Sequence, residues 1–463
     1  IAANYVYLNL NGHSITYNQT TPGEGVNITA WNLHDVAVAN GSIIQGTAMS
    51  EGDMYGRGNN PVSTYSTATG GSRSVDRLQV ANLYVRYGGS EVGGIVCAGY
   101  NGLYEQNTIE DTYQFGTLQN RSQGVHALSG VHDSTTANSN TYRYNTITNC
   151  RHRGINVGNG GTAYQNHITI RSIATNAFGI TGGQQDITVY NNTVIARGEH
   201  PIGIGFSNGT NNVYLPNNTR NIEVYNNYID AQTTAFGTEY GEPVYPGATV
   251  IQTGNEAVGY RASWGANGSH VHNNQIVVRS DTDYLGTFSP TGQPVRINSK
   301  ARGTMLGLWQ GEVALFENNS ITALDKDGTG LAKAVVVNGQ SDVDGGDNAG
   351  LVFKNNTITS NSMNVALGDS YGGSPGWPLF IQNTFIKVDN FPGYATIGAG
   401  LGGYSIATAK FVSNTYQGGA AADSMNLYFG NHSTETNAWK SIIFGRLIDR
   451  KSTRLNSSHR IRS

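Results

Sequence analysis

Asp186-Ile187-Thr188-Val189-Tyr190-Asn191-Asn192-Thr193-Val194 reads as a strand, a turn and the start of a second strand, and Asn221-Ile222-Glu223-Val224-Tyr225-Asn226-Asn227-Tyr228-Ile229 repeats it. Both alternate with period two and are rich in β-branched and aromatic residues, which argues for short strands against a helical solenoid. The phrase recurs with its final Asn at Asn107, Asn145, Asn166, Asn192, Asn227, Asn274, Asn319, Asn356, Asn383 and Asn414. Each repeat continues through a further short stretch, as in Gly154-Ile155-Asn156-Val157, Gly179-Ile180-Thr181 and Gly203-Ile204-Gly205-Phe206. Several short strands per repeat, turned at Asn and Gly, wind into a parallel β-helix.

Two apolar columns flank the Asn. Three residues before it stand Tyr104, Tyr142, Ala163, Val189, Val224, Val271, Phe316, Phe353, Phe380 and Phe411. Two residues after it stand Ile109, Ile147, Ile168, Val194, Ile229, Ile276, Ile321, Ile358, Phe385 and Tyr416. Columns five apart face opposite ways in an unbroken strand, so burying both requires a bend between them. Asn suits the bend because it tolerates the left-handed region and its amide hydrogen-bonds to nearby backbone. Equivalent Asn side chains on successive rungs are expected to form an amide ladder.

Leu8-Asn9-Leu10-Asn11-Gly12-His13-Ser14-Ile15, followed by Asp35-Val36-Ala37-Val38-Ala39-Asn40-Gly41-Ser42-Ile43, resembles the opening rungs of right-handed parallel β-helix proteins of the pectate-lyase-like superfamily. The resemblance implies an all-β right-handed parallel β-helix, with about ten regular coils plus a less regular N-terminal part. It also implies a secreted or surface location and a polysaccharide partner. That superfamily spans lyases, hydrolases, epimerases, tailspikes and adhesins, so the architecture does not choose among them. The paired-aspartate and Gly-His-Gly signature of polygalacturonases is missing, as is the Tyr-Gly-(Phe/Ile)-Asp-Pro-His-Asp phrase of alginate epimerases.

Composition fits a coil-stacked protein: Gly is 61 of 463 residues and charged residues are only 13%. A solenoid grows in one dimension and escapes the usual core-size limit, so residues 1–448 are expected to form one domain. The N-terminus is read as a mature end or a truncation. No apolar run is long enough to cross a bilayer. Cys97 and Cys150 fall about two coils apart by the repeat count, beyond disulfide reach, and are expected to be small buried side chains. Residues 449–463 resemble an in-frame translation of a sequencing adapter and are expected to be a non-native tail. Without them the formal net charge moves from −3 to −7, which gives no electrostatic case for nucleic acid.

Function is expected where the coil departs from its minimum. Asn spacing is longest from Asn227 to Asn274 and from Asn274 to Asn319, and insertions in a solenoid fall on loops that often bind. These coils carry Glu239, Tyr240, Glu242, Arg261, Trp264, Arg296, Lys300, Arg302 and Trp309. Aromatic rings lie against apolar sugar faces and guanidinium groups pair bidentately with uronate carboxylates; equally, these are ordinary solvated loop residues. A second cluster follows the Asn turns: Arg151-His152-Arg153 after Asn145, and Arg197 with Glu199-His200 after Asn192, expected on one side two rungs apart. A base and a neutralising cation would serve β-elimination on a uronate; a carboxylate pair such as Glu199 and Glu239 would serve hydrolysis. The alternative is a set of surface turn charges. Asp325, Asp327, Asp342, Asp344 and Asp347 lie in Asp-Gly turns of one coil and offer oxygens for calcium, although Asp-Gly is also a plain turn signal. No cofactor is required. The leading expectation is an acidic-polysaccharide lyase, with a glycoside hydrolase or a non-catalytic glycan-binding rod, monomeric or trimeric, as alternatives.

Overall fold

The computed structural model describes residues 1–21, 23–28, 30, 32–47, 60–66, 71–72, 74–88, 93–112, 123–128, 139–151, 153–172, 177–182, 185–198, 201–207, 220–233, 256–263, 268–280, 284–286, 295–297, 300–307, 313–325, 332–338, 350–367, 378–388, 397–399, 408–417, 427–429, 441–444 and 447–449. They fall into two compact units, residues 1–207 with 223–249 and residues 208–222 with 250–463. The protein is an all-β parallel β-helix, as the repeat phrase predicts. No helix is long and apolar enough to cross a membrane among the described residues.

The Asn166 coil of the first unit is representative. Thr162–Tyr164 is its first strand, His167–Ser172 its second and Ala177–Gly182 its third. Each pairs in parallel with its equivalents in the Asn145 and Asn192 coils. The second unit builds its coils the same way, as in Val313–Glu317, Ser320–Asp325 and Ala332–Asn338. Its long Asn274 coil also carries an antiparallel hairpin, Tyr284–Gly286 against Val295–Ile297.

The asparagines form the expected ladders. In the first unit, from Asn107 through Asn145, Asn166 and Asn192 to Asn227, each backbone N–H and Nδ2 donates to Oδ1 of the next Asn at 2.9–3.1 Å. The second unit repeats this from Asn274 through Asn319, Asn356 and Asn383 to Asn414 at 2.8–3.0 Å. Nδ2 also reaches a carbonyl of the preceding coil: Asn145 to Tyr104, Asn166 to Tyr142 and Asn192 to Ala163, each at 3.0 Å. All ten amides are at most 2% exposed, so the ladder satisfies groups that water cannot reach.

The bend itself sits one residue earlier than the sequence suggests. The left-handed residue is the one before each ladder Asn, namely Gln106, Tyr144, Gln165, Asn191, Asn226, Asn273, Asn318, Asn355, Gln382 and Ser413, with φ between 53° and 57°. Half of these are themselves Asn, which accept this conformation most readily among non-glycine residues. Tyr144, Gln165 and the others adopt it because ladder bonds on the following residue over-determine the local backbone.

Both apolar columns are buried, every member at 7% exposure or less. Their rings stack rung on rung: Tyr104 on Tyr142 at 5.0 Å, and Phe316, Phe353, Phe380 and Phe411 at 4.7–4.9 Å. Such pairs add roughly 0.5–1.5 kcal/mol each beyond area burial. The third strands press onto the column that follows the Asn. A Cβ on Gly179 would stand 2.1 Å from Val194 Cγ1, and one on Gly259 would stand 2.2 Å from Ile276 Cγ2. The glycines of the Gly-Ile stretches therefore mark close approach of strand to core. Cys97 and Cys150 are buried and unbridged, as expected.

Candidate functional site

In the first unit the second strands end in a row of arginines. Arg171 is in register with Arg197, and Arg197 with Gln232. Cys150 pairs with Ile170 after a register shift, so Arg151 follows at the level of Arg171. Guanidinium groups on successive rungs, about 4.8 Å apart, repel unless acids intervene. Two acids do. Asp111 takes Arg151 Nε at 2.8 Å and Nη2 at 3.2 Å, with both side chains fully buried. Asp230 takes Arg197 Nη1 at 3.2 Å and Nη2 at 3.0 Å, and its backbone carbonyl accepts from Nη1 at 2.9 Å.

The two pairs differ in what they can meet. Arg151 and Asp111 have 0% side-chain exposure and touch no solvent. Beside them Cys150 Sγ lies 3.6 Å from the Tyr87 hydroxyl, and burial pushes both of those groups up well above their ordinary titration range. Arg197 keeps 21% side-chain exposure and Asp230 11%, so this pair borders solvent where the other does not. Arg171, half-buried, stands on the adjacent rung. Arg153 opens the third strand Arg153–Val157, half-buried and in register with Gln123 and Phe178.

The remaining expected residues are spread over the second unit or lie outside the described residues. Arg261 and Arg302 stand on neighbouring third strands, Arg261 opposite Met305 and Arg302 opposite Val258; Arg302 is only 3% exposed. Arg296 lies on the inserted hairpin and Lys300 begins the strand Lys300–Gly307. Asp325 ends a second strand and is buried: the Ser280 hydroxyl donates to Oδ1 at 3.3 Å, and Asn361 holds its backbone through N–H and carbonyl bonds of 2.9 and 2.5 Å. His152, Glu199, His200, Glu239, Tyr240, Glu242, Trp264, Trp309, Asp327, Asp342, Asp344 and Asp347 lie outside the described residues.

A further row, two residues before each ladder Asn, faces away from the core of the first unit. Arg143 binds Glu105 at 2.7 Å and donates to the Tyr164 hydroxyl at 3.0 Å. Tyr164, Tyr190 and Tyr225 stack at 4.8 and 4.9 Å with planes within 6°. Tyr190 covers one face of each neighbour, so this row offers ring edges and hydroxyls more than open faces to a sugar. It was readable as a column in the sequence, as were Arg171 and Asp230. Burial and charge pairing were not.

No protein-family model matches the chain, and no curated protein sequence does. Among solved structures, the Agl-KA catalytic domain aligns over 92% of this chain and 62% of its own, at 12% identity and a TM-score of 0.39. This chain thus spans less than two thirds of that domain. A PL6 alginate lyase solved in complex with a trisaccharide aligns over 98% of this chain and 96% of its own, at 12% identity and a TM-score of 0.42. Likenesses this distant carry no functional argument.

Proposed function

We propose that the protein engages an acidic, uronate-containing polysaccharide along the arginine row of its first unit and cleaves it by β-elimination. The observation that supports this reading is the register of Arg171 with Arg197 on adjacent rungs beside the partly exposed Asp230. A polymer lying along the coils presents one carboxylate after another, and guanidinium groups on adjacent rungs, with Asp230 holding the Arg197 fork, match the spacing of such a ligand. A cation held against a uronate carboxylate also stabilises the charge that develops when the α proton leaves. The residues to test as the base are Arg153 and, outside the described residues, His152, Glu199, His200 and Glu239.

The test uses the folded chain with pectate, alginate, glycosaminoglycan and neutral glycans, with and without calcium, following unsaturated-uronate absorbance and reducing ends together. Parallel rise of both on an acidic polymer, lowered at least tenfold in Arg197→Ala, is the expected result. Reducing ends without absorbance would replace elimination by hydrolysis. Saturable binding without product would make the protein a binding rod. Full activity in Arg171→Ala and Arg197→Ala would remove the row from the site.

A further inference from the structure

In the second unit the strand Ser269–His272 carries His270 and His272 at alternate positions, and its burial pattern turns both away from the core while Ser269 and Val271 point inward. Their rings stack with centroids 4.1 Å apart, and a ring nitrogen of one lies within 4.8 Å of a ring nitrogen of the other. On the next rung Glu317 stands in register with His272. Its Oε2 is 3.8 Å from His270 Nε2, while Oε1 accepts the Lys354 ammonium at 2.7 Å. The Asn273 amide lies 3.0 Å from His272 Nδ1.

We infer that His270, His272 and Glu317 form a binding site for a divalent transition-metal ion of the zinc class. Two imidazole nitrogens and one carboxylate oxygen are a donor set that Zn2+ accepts, with a fourth position left for water or ligand. Nitrogens bound to one tetrahedral ion at about 2 Å lie about 3.3 Å apart, and side-chain rotation on an outward strand face closes the present separation. Asn273 Nδ2 lies 3.0 Å from His272 Nδ1 and helps to orient that ring. The nitrogen donors select against calcium and magnesium, which take oxygen ligands. Neither cysteine competes, since both are buried. The ion would tie the first strand of the Asn274 coil to that of the Asn319 coil, independently of the arginine row in the first unit.

Calorimetric titration of the metal-stripped full chain with ZnCl2 tests the site, alongside CaCl2 and the variants His270→Ala, His272→Ala, Glu317→Gln and the double histidine variant. Thermal unfolding with and without Zn2+ gives a second readout, and far-UV circular dichroism checks each fold. The expected result is one Zn2+ per chain, affinity lowered at least tenfold in each single histidine variant, and a rise in Tm on Zn2+ addition that the double variant lacks. The chain has 11 histidines, so the double variant decides between this pair and the others. Absence of Zn2+ binding to the folded wild type, or unchanged affinity in the folded double variant, would overturn the assignment; should the alanine variants misfold, His270→Gln and His272→Gln carry the same comparison.

Discussion

Replacing Asn166 by alanine removes the centre of the ladder in the first unit. Its Nδ2 donates to the Tyr142 carbonyl at 3.0 Å and to Asn192 Oδ1 at 2.9 Å, and its Oδ1 accepts from the Asn145 N–H at 3.0 Å and Nδ2 at 2.9 Å. After truncation Asn145 Nδ2 still reaches the Tyr104 carbonyl, but the Asn145 backbone N–H faces a void. The orphaned donor costs about 1–3 kcal/mol and the other lost bonds about 1 each, giving roughly 4–6 kcal/mol in all. Solenoids open in parts, so urea unfolding followed by circular dichroism should be paired with amide exchange read at Asn145 and its neighbours. The control is Asn191→Ala, at an exposed residue with φ 55°, which loses only left-handed tolerance, about 1–2 kcal/mol. An Asn166→Ala loss no larger than that of Asn191→Ala, with the Asn145 amide still protected, would refute the ladder as the main organiser of the turn.

Three other perturbations follow from the packing and the charges. Gly179→Ala places a Cβ 2.1 Å from Val194 Cγ1 and 2.6 Å from the Gly203 carbonyl oxygen, and overpacking of this kind costs roughly 1–3 kcal/mol; an unchanged Tm would contradict the close approach. Asp111→Ala strands the buried Arg151 guanidinium and should destabilise by about 3–5 kcal/mol, whereas Asp111→Leu with Arg151→Met should recover most of that loss in urea unfolding; equal losses in the two variants would show that the charge is not the cause. Burial pushes the Glu24 carboxyl up to about 7 against a smaller downward pull from the Ser63 hydroxyl. The folded state therefore holds a proton that the unfolded chain releases, and stability falls as pH rises from about 4.5 to about 7. Glu24→Gln should flatten that part of the stability profile, and an unaltered slope would exclude Glu24 as its source.

The repeat was legible because stacking is a local rule applied many times. Val189 and Val194 announce buried positions five residues apart, and only a bend at Asn191-Asn192 allows both, so coil, ladder and columns follow from one phrase. Which Asn bends was less legible: the amide that bonds along the ladder and the backbone that turns belong to adjacent residues, and a repeated Asn-Asn pair hides the division. The chemistry was less legible still. Arg151 and Arg197 look alike in sequence, yet one is enclosed with Asp111 and the other shares the surface with Asp230, from coils on opposite sides of them. Partners 40 and 33 residues away in the chain meet through rung geometry, which no local pattern encodes. Arg171 stands at the same offset from Asn166 as Arg197 from Asn192, so its column was readable, but its half-buried place beside Arg197 comes only from the stacked rungs.

The most direct test of the carboxylate-recognition account is equilibrium binding of the folded chain to a panel of polyuronates and to the same polymers with their carboxylates reduced to alcohols. The account predicts saturable binding to at least one polyuronate, weakening with salt, lowered in Arg197→Ala and lost on the reduced polymer. Equal binding to the native and reduced forms, or no binding to any polyuronate, would contradict it.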